Sequence, residues 1–183
     1  MSAPGGRADE APETGVDVQT FRQAMRQLAG GVCAISACNG EGQRTGMTVT
    51  SVVSLSMQPA EVVVSINQNS SSWAMIARAG RFGVNLLDAT QAAVALRFSG
   101  QGGIRGDERY HGANWVQTTD GVWLLDDAPV ALACAVVQVW TRHSHALVVG
   151  HITHARGHAL DTHRGDGLPL LYWRGCYGGF APF

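Results

Sequence analysis

From Val32 to Trp173 the sequence divides into short β-periodic runs separated by turn residues, with only brief helical stretches between them, and this succession constrains the fold more than any other feature. Val32 to Ala37 reads as a strand, Asn39-Gly40-Glu41-Gly42 as a turn, and Met47 to Ser56 as a second strand. Pro59 breaks the chain before a third, Val62 to Asn67, whose valine run predicts burial on both faces. Phe82, Val84 and Leu86 alternate as a fourth, and Val122 to Leu125, Ala131 to Arg142, Ala146 to Arg156 and Leu170 to Trp173 complete the set. Many strands with few, short helices predict a mainly β, antiparallel barrel rather than a doubly wound parallel sheet.

Three helices flank these strands. Thr20 and Gln23 form a capping box, Phe21, Met25 and Leu28 share a face, and Gly30-Gly31 supplies a stop. Asn69 to Ser72 caps a second helix through Trp73, Ile76 and Ala77 to Gly80, and Asp88 with Gln91 opens a third carrying Val94, Leu96 and Phe98. The glycine-rich, charged segment from Ser99 to Gly112 reads as a mobile loop, a class of segment that is usually functional or disordered. At 183 residues the chain predicts one domain, residues 16–183, after a disordered tail, residues 1–15.

Charge removes several classes of function. All 13 basic residues are arginine, spread from Arg7 to Arg174 against a net charge of −1, so there is no basic stripe for a nucleic-acid backbone. Without lysine there is no P-loop, no Schiff base and no lysine general base, so anion recognition falls to arginine, backbone and hydroxyl groups. No G-x-G-x-x-G follows a strand, which leaves a dinucleotide fold of the Rossmann type unsupported. Cys33, Cys38, Cys134 and Cys176 show no C-x-x-C pair and no disulfide framework. The N-terminal residues lack the apolar run of a signal peptide, and the longest apolar run, Pro129 to Val137, is too short for a membrane helix. A cytoplasmic protein without membrane contact is the expectation.

Hydroxyls concentrate between Gly46 and Trp73. On the Met47–Ser56 strand, Thr48, Thr50, Ser54 and Ser56 share a face with Val52, while the other face carries Val49, Ser51, Val53 and Leu55. Ser51 therefore stands where a core residue is expected and needs a partner. Strand hydroxyls are common as ordinary packing, and a serine at a helix start is most often only a cap. Here, however, Ser65 and Asn67 end the next strand and Ser70, Ser71 and Ser72 begin a helix, where dipole and free N–H groups favour an anion. Three polar clusters on consecutive elements predict one ligand with a polar ring edge and a phosphate.

In this order the motifs resemble the flavin reductase-like, FMN-binding split-barrel family, which includes reductase components of two-component flavin monooxygenases. The likeness runs from Phe21 to Tyr177 through Phe21-Arg22-Gln23-Ala24-Met25 and Gly30-Gly31-Val32, then Gly46-Met47-Thr48-Val49-Thr50-Ser51 with Ser54-Leu55-Ser56 and Pro59. Phe82-Gly83-Val84-Asn85-Leu86-Leu87 with Gln91, and Pro169-Leu170-Leu171-Tyr172 with Tyr177, continue it. The resemblance implies a split barrel with Greek-key connections and flanking helices that binds FMN or FAD, uses NADH or NADPH as co-substrate, forms a homodimer and hands reduced flavin by diffusion to an oxygenase. It also implies flavin contacts at Thr48, Val49, Thr50, Ser51, Ser65, Asn67, Ser71 and Ser72, with Arg109 of the Asp-Glu-Arg-Tyr stretch near the phosphate.

The family's Gly-Asp-His stands here as His143-Ser144-His145, so the histidine is kept and the aspartate is not. His145 is accordingly the candidate catalytic group, positioning cofactor or nucleotide, against the plain reading of a strand-end histidine. Loss of the aspartate keeps open a non-catalytic FMN-binding protein of the same fold. The cluster His143, His145, His151, His154, His158 and His163 keeps open a metal-binding protein, although its spacing fits neither zinc-finger nor metalloprotease patterns, and no metal ligand is assigned. An oxidase of the pyridoxamine-phosphate type is disfavoured because the basic phosphate ligands expected there are not evident. Trp115, Trp123 and Trp140 read as core or dimer packing, and Cys33 and Cys134 as core.

Overall fold

A computed structural model describes residues 15–161 and 167–180; most of the expected N-terminal tail and His163 lie outside the described residues. In chain order the elements are α1 (Val18–Met25), β1 (Gly30–Gly31), β2 (Cys33–Cys38), β3 (Arg44–Val49), β4 (Val52–Met57), β5 (Ala60–Asn67), α2 (Ser71–Ala79), β6 (Arg81–Leu86) and α3 (Ala92–Phe98). There follow β7 (Trp115–Gln117), β8 (Trp123–Leu125), β9 (Val130–Arg142), β10 (His145–Arg156), α4 (His158–Asp161), β11 (Leu170–Trp173) and β12 (Cys176–Gly179). The antiparallel, mainly β expectation holds: one sheet of seven strands runs β3-β2-β6-β9-β10-β5-β4, beside a three-stranded β1-β11-β12 sheet and a β7-β8 ribbon.

The Met47–Ser56 strand read from sequence is two strands, β3 and β4, on opposite edges of the large sheet. In a flat sheet six inter-strand steps would hold those edges about 29 Å apart. Yet only Thr50 and Ser51 join them, and such a link reaches at most about 11 Å between Val49 and Val52. The sheet is therefore curled until its edges approach at Thr50–Ser51, and it stays open because β3 and β4 form no ladder with each other. That is a split barrel.

β2 lies under both layers of the core. Its even residue Ala34 faces a cluster with Phe98, Leu124, Leu125 and Tyr110, while Ile35 faces Val64, Ile66, Ile76 and Phe82. Every residue of β2 is buried, whereas β5, whose valine run predicts burial on both faces, alternates: Val62, Val64 and Ile66 are buried and Val63 and Ser65 are only partly covered, because α2 and the core lie against one face. Asn85 on β6 is fully buried and satisfied at both ends: its amide donates to the Ala34 carbonyl at 2.9 Å, and its carbonyl oxygen accepts from the Leu125 N–H at 2.7 Å. This ties the β7-β8 ribbon to the sheet. Gly46 leaves room for the Phe98 ring, which a β-carbon there would overlap.

Two local expectations change. The first helix starts three residues earlier than the Thr20–Gln23 pattern suggests, because the Asp17 carboxylate accepts from the Gln19 and Thr20 N–H groups at 2.9 and 3.0 Å and takes the capping role. The segment from Ser99 to Gly112, expected to be a mobile loop, contains two 3-10 turns, at Gln101–Gly103 and Gly106–Tyr110. Tyr110 is buried there, donating to the Thr45 carbonyl at 2.8 Å and packing its ring on Phe98 and Trp115. Arg44 pairs with Asp107 and lies 4.5 Å from both the Tyr110 and Trp123 rings, which fastens the segment to β3.

Candidate functional site

The point where the barrel edges approach is also where two clefts adjoin. The first, about 570 Å³, is walled by Thr48, Val49 and Thr50 on one side and by Ser99–Gln101, Tyr172 and Tyr177 on the other. The second, about 620 Å³, shares Thr50 and Tyr172 and continues past Phe21, Met25, His145 and Arg174. Thr50 reaches this shared wall because residue 30 is glycine: a β-carbon on Gly30 would lie 2.8 Å from Thr50 Cβ.

The expected site residues divide by what their side chains already hold. Thr48 is half-buried, lines the first cleft and donates to the Ala95 carbonyl on α3 at 2.6 Å, so its hydroxyl ties the cleft wall to that helix. Ser51 has the partner that its apolar-face position demanded, the Ser65 carbonyl at 3.0 Å, which bridges the chain crossing to β5. Thr50 is exposed and its hydroxyl has no hydrogen bond within the described residues. Asn67 accepts from the Asn69 N–H at 2.9 Å and pairs in register with His145. Ser70 caps α2 by accepting from the Trp73 N–H at 3.1 Å; Ser71 is exposed and shares a hydrogen bond with Thr45 at 3.1 Å, and Ser72 is buried. Ser51, Ser65, Asn67, Ser71, Ser72 and Arg109 do not line either cleft.

Arg109 stands just behind the first cleft. Its Nη1 donates to the Arg97 and Phe98 carbonyls at the end of α3, and its Nη2 lies 3.1 Å from where a β-carbon of Gly100 would be. Its Nε is buried with no hydrogen-bond partner, and burial pushes the guanidinium pKa down. An anion nearby would relieve that desolvation.

His145 is exposed at the head of β10 on the second cleft, with Nδ1 2.9 Å from Ser144 Oγ. The turn that carries it is clamped from below by Gln68, whose side-chain amide donates to the His143 carbonyl at 2.9 Å and the His145 carbonyl at 3.2 Å; the Gln68 N–H donates to the Ser144 carbonyl at 2.9 Å. Among the described residues no three His, Cys, Asp or Glu side chains converge on a metal-sized site.

Sequence reasoning assigned no site role to Tyr172, Tyr177, Gln68, Ser99–Gln101 or Arg174. The two tyrosines were visible as motif members, and the rings stand 5.2 Å apart across the β11–β12 pair. Gln68 and Arg174 carry no signal in sequence, since each matters only through the turn it touches. Chemically the groove offers hydroxyls, backbone groups and flat aromatic faces, arranged for holding planar polar rings rather than for nucleophilic attack.

Residues 25–181 match the family described as Flavin reductase like domain. The NADH:riboflavin 5'-phosphate oxidoreductase of Streptomyces pristinaespiralis is 38% identical over 172 residues, covering 91% of this chain and 90% of the relative. The reductase component of the FADH(2)-dependent resorcinol hydroxylase of Rhizobium sp. (strain MTP-10005) is 34% identical over 182 residues, covering 99% and 96%. Among solved structures, a flavin reductase domain protein from Arthrobacter sp. FB24 superposes with a TM-score of 0.77 at 31% identity, covering 90% of this chain and 96% of that one.

Proposed function

The chain belongs to the flavin reductase like domain family, and from that premise we propose that it is an NAD(P)H:flavin oxidoreductase that supplies reduced FMN or FAD to a partner monooxygenase. The observation that carries this reading is the adjoining of two clefts at Thr50 and Tyr172. Hydride transfer between two ring systems needs two touching seats and no nucleophile, and the groove supplies that arrangement.

The fit to a flavin is favourable. Thr48, Val49, Thr50 and Ser51 would run along the ring edge, with the exposed Thr50 hydroxyl free to donate. Ser65, Asn67, Ser71 and Ser72 would serve the phosphate side, where α2 presents its N-terminus. Arg109, with its unpartnered Nε, supplies positive charge behind the Ser99–Gln101 wall. A flavin held there would supply the hydride acceptor for the nicotinamide and the reducing equivalents for the oxygenase. His145 would position the nicotinamide, with its ring held by Ser144 Oγ instead of a carboxylate.

The relative from Streptomyces pristinaespiralis is named for NADH and the Rhizobium relative for its place in a hydroxylase, which supports NADH as donor and an oxygenase as recipient. A homodimer is supported by an apolar surface that a lone chain leaves in water: Val53, Leu55 and Met57 on β4, and the cross-strand pair Trp140 and Leu147 on β9 and β10. No helix among the described residues is long and apolar enough to cross a membrane, and the reading places the protein in the cytoplasm with its nucleotide pool.

Ser144 in place of the aspartate favours one other reading, a flavin-binding protein of this fold that oxidises no nucleotide. Titration of the purified protein with FMN and FAD, followed by NADH and NADPH oxidation, separates them. Saturable flavin binding with turnover supports the reductase; binding without turnover supports the second reading, and neither result leaves the first standing if no flavin binds.

A further inference from the structure

The second cleft has a charged rim that hydride transfer does not need. Arg22 projects from α1, Arg26 caps its C-terminal end and Arg174 sits on the β11–β12 turn, and all three line the cleft. None has an ion-pair partner among the described residues, although the chain's net charge is −1. Three unpaired cations on one groove repel each other unless an anion joins them.

The cations are also held in place. Arg174 Nε donates to Gln27 Oε1 at 2.8 Å and its guanidinium lies 4.5 Å from the Trp173 ring centroid, while its N–H and carbonyl are both bonded to Arg26 at 3.2 Å. Its φ is +52°, and among the described residues the one other non-glycine with positive φ is His143, at +49° on the turn that carries His145. Left-handed backbone in residues with side chains costs energy and concentrates where a ligand is gripped. Here Arg174 lines the second cleft, and His143 directly precedes Ser144 and His145, which line it too.

Resting on the reductase reading, we propose that this cleft seats the diphosphate of the nicotinamide dinucleotide, with Arg22 and Arg174 as its ligands and Arg26 fixing the Arg174 turn. Guanidinium groups bind phosphate oxygens through paired N–H donors, a match that lysine could not give. Phe21 and Met25, about half open to solvent at 57% and 47% exposure, give the apolar floor on which a base or nicotinamide can lie. Anchored at the diphosphate, the dinucleotide would reach His145 and then the wall shared with the first cleft at Thr50.

The test uses ADP-ribose, which carries the diphosphate and cannot donate hydride. Its binding to the full chain is measured by calorimetry for the parent, Arg22→Gln, Arg174→Gln and Arg174→Lys, alongside KM for NADH and the dissociation constant of FMN. Each glutamine variant should weaken ADP-ribose binding and raise KM for NADH by about tenfold, the scale of one charged hydrogen-bonded contact. Arg174→Lys should recover part of the loss, and Arg78→Gln, on the exposed side of α2, should change nothing. FMN affinity should hold. Absence of ADP-ribose binding by the parent, or binding that the glutamine variants leave unaltered, overturns the proposal. So does a loss confined to FMN affinity, which would make these arginines flavin ligands. ADP-ribose binding lost in the variants, in a parent that oxidises no NADH, would instead uphold the site and sink the reductase reading.

Discussion

Gln68 and His145 are joined through the backbone: the Gln68 side-chain amide donates to the His145 carbonyl at 3.2 Å and, in the same reach, to the His143 carbonyl at 2.9 Å. The turn that presents the imidazole to the second cleft is thus held by a residue that never touches the cleft itself. Gln68→Ala removes both bonds, at about 1 kcal/mol each in stability. Its larger effect should be on turnover, a several-fold drop in kcat with FMN affinity unchanged, because a loosened turn misplaces the group that orients the nicotinamide. Equal losses in kcat and FMN affinity would assign Gln68 a structural part alone.

Gly30→Ala tests the shared wall. The new β-carbon would meet Thr50 at 2.8 Å, closer than carbon atoms pack, so Thr50 must shift toward the clefts. Flavin affinity should fall by about tenfold, with a modest stability loss of about 1–2 kcal/mol. Gly31→Ala, where a β-carbon meets nothing within 4 Å, is the matched control and should be silent in both measurements.

The Arg44–Asp107 pair predicts a pH dependence with a definite sign. The hydrogen bond from Arg44 holds the Asp107 carboxyl below its ordinary 3.8. A depressed folded pKa contributes stability that is present above the unfolded value and is lost as pH falls through the folded one. Thermal unfolding of the Asp107→Asn variant should therefore differ from that of the parent by a full, constant gap well above pH 3.8, and the gap should close as the pH falls below that value through the lower folded pKa. A constant gap at all pH values would contradict the assignment.

Thiol labelling reads the core directly. Burial pushes the Cys33 and Cys134 thiols up to about 12, and Cys38 is buried with its Sγ 2.9 Å from the Gly121 carbonyl, whereas Cys176 is exposed. One cysteine should react quickly in the native protein and all four after denaturation. Rapid native labelling of Cys33 or Cys134 would show that the Ile35 side of the core is not closed.

Sequence alone disclosed the long hairpin and the closing strand, because Ala131 to Arg142, Ala146 to Arg156 and Leu170 to Trp173 are rich in β-branched and apolar residues bounded by turn residues. It hid the break at Thr50–Ser51, since β-branched and hydroxyl residues keep strand propensity across a chain crossing that only the curl of the sheet imposes. It also hid the fastening of Ser99–Gly112, whose glycines and charges read as solvent-exposed although Tyr110 and Arg44 pin the segment through contacts more than sixty residues apart. Within the candidate site, the hydroxyl density drew attention to the segment holding Thr48 and Thr50, and the family pattern pointed to those residues, to Val49 and to His145, all of which line a cleft. Ser51 was legible only as a residue needing a partner, which proved to be the Ser65 carbonyl. Arg174 was illegible because its importance lies in a backbone conformation and in neighbours from α1.

The most direct test of the whole account is anaerobic mixing of the FMN-loaded protein with NADH, following the visible absorbance of the flavin. Rapid bleaching that saturates with NADH, and that slows in Gln68→Ala, is the predicted result. A flavin that binds in the groove yet stays oxidised with both NADH and NADPH would contradict it.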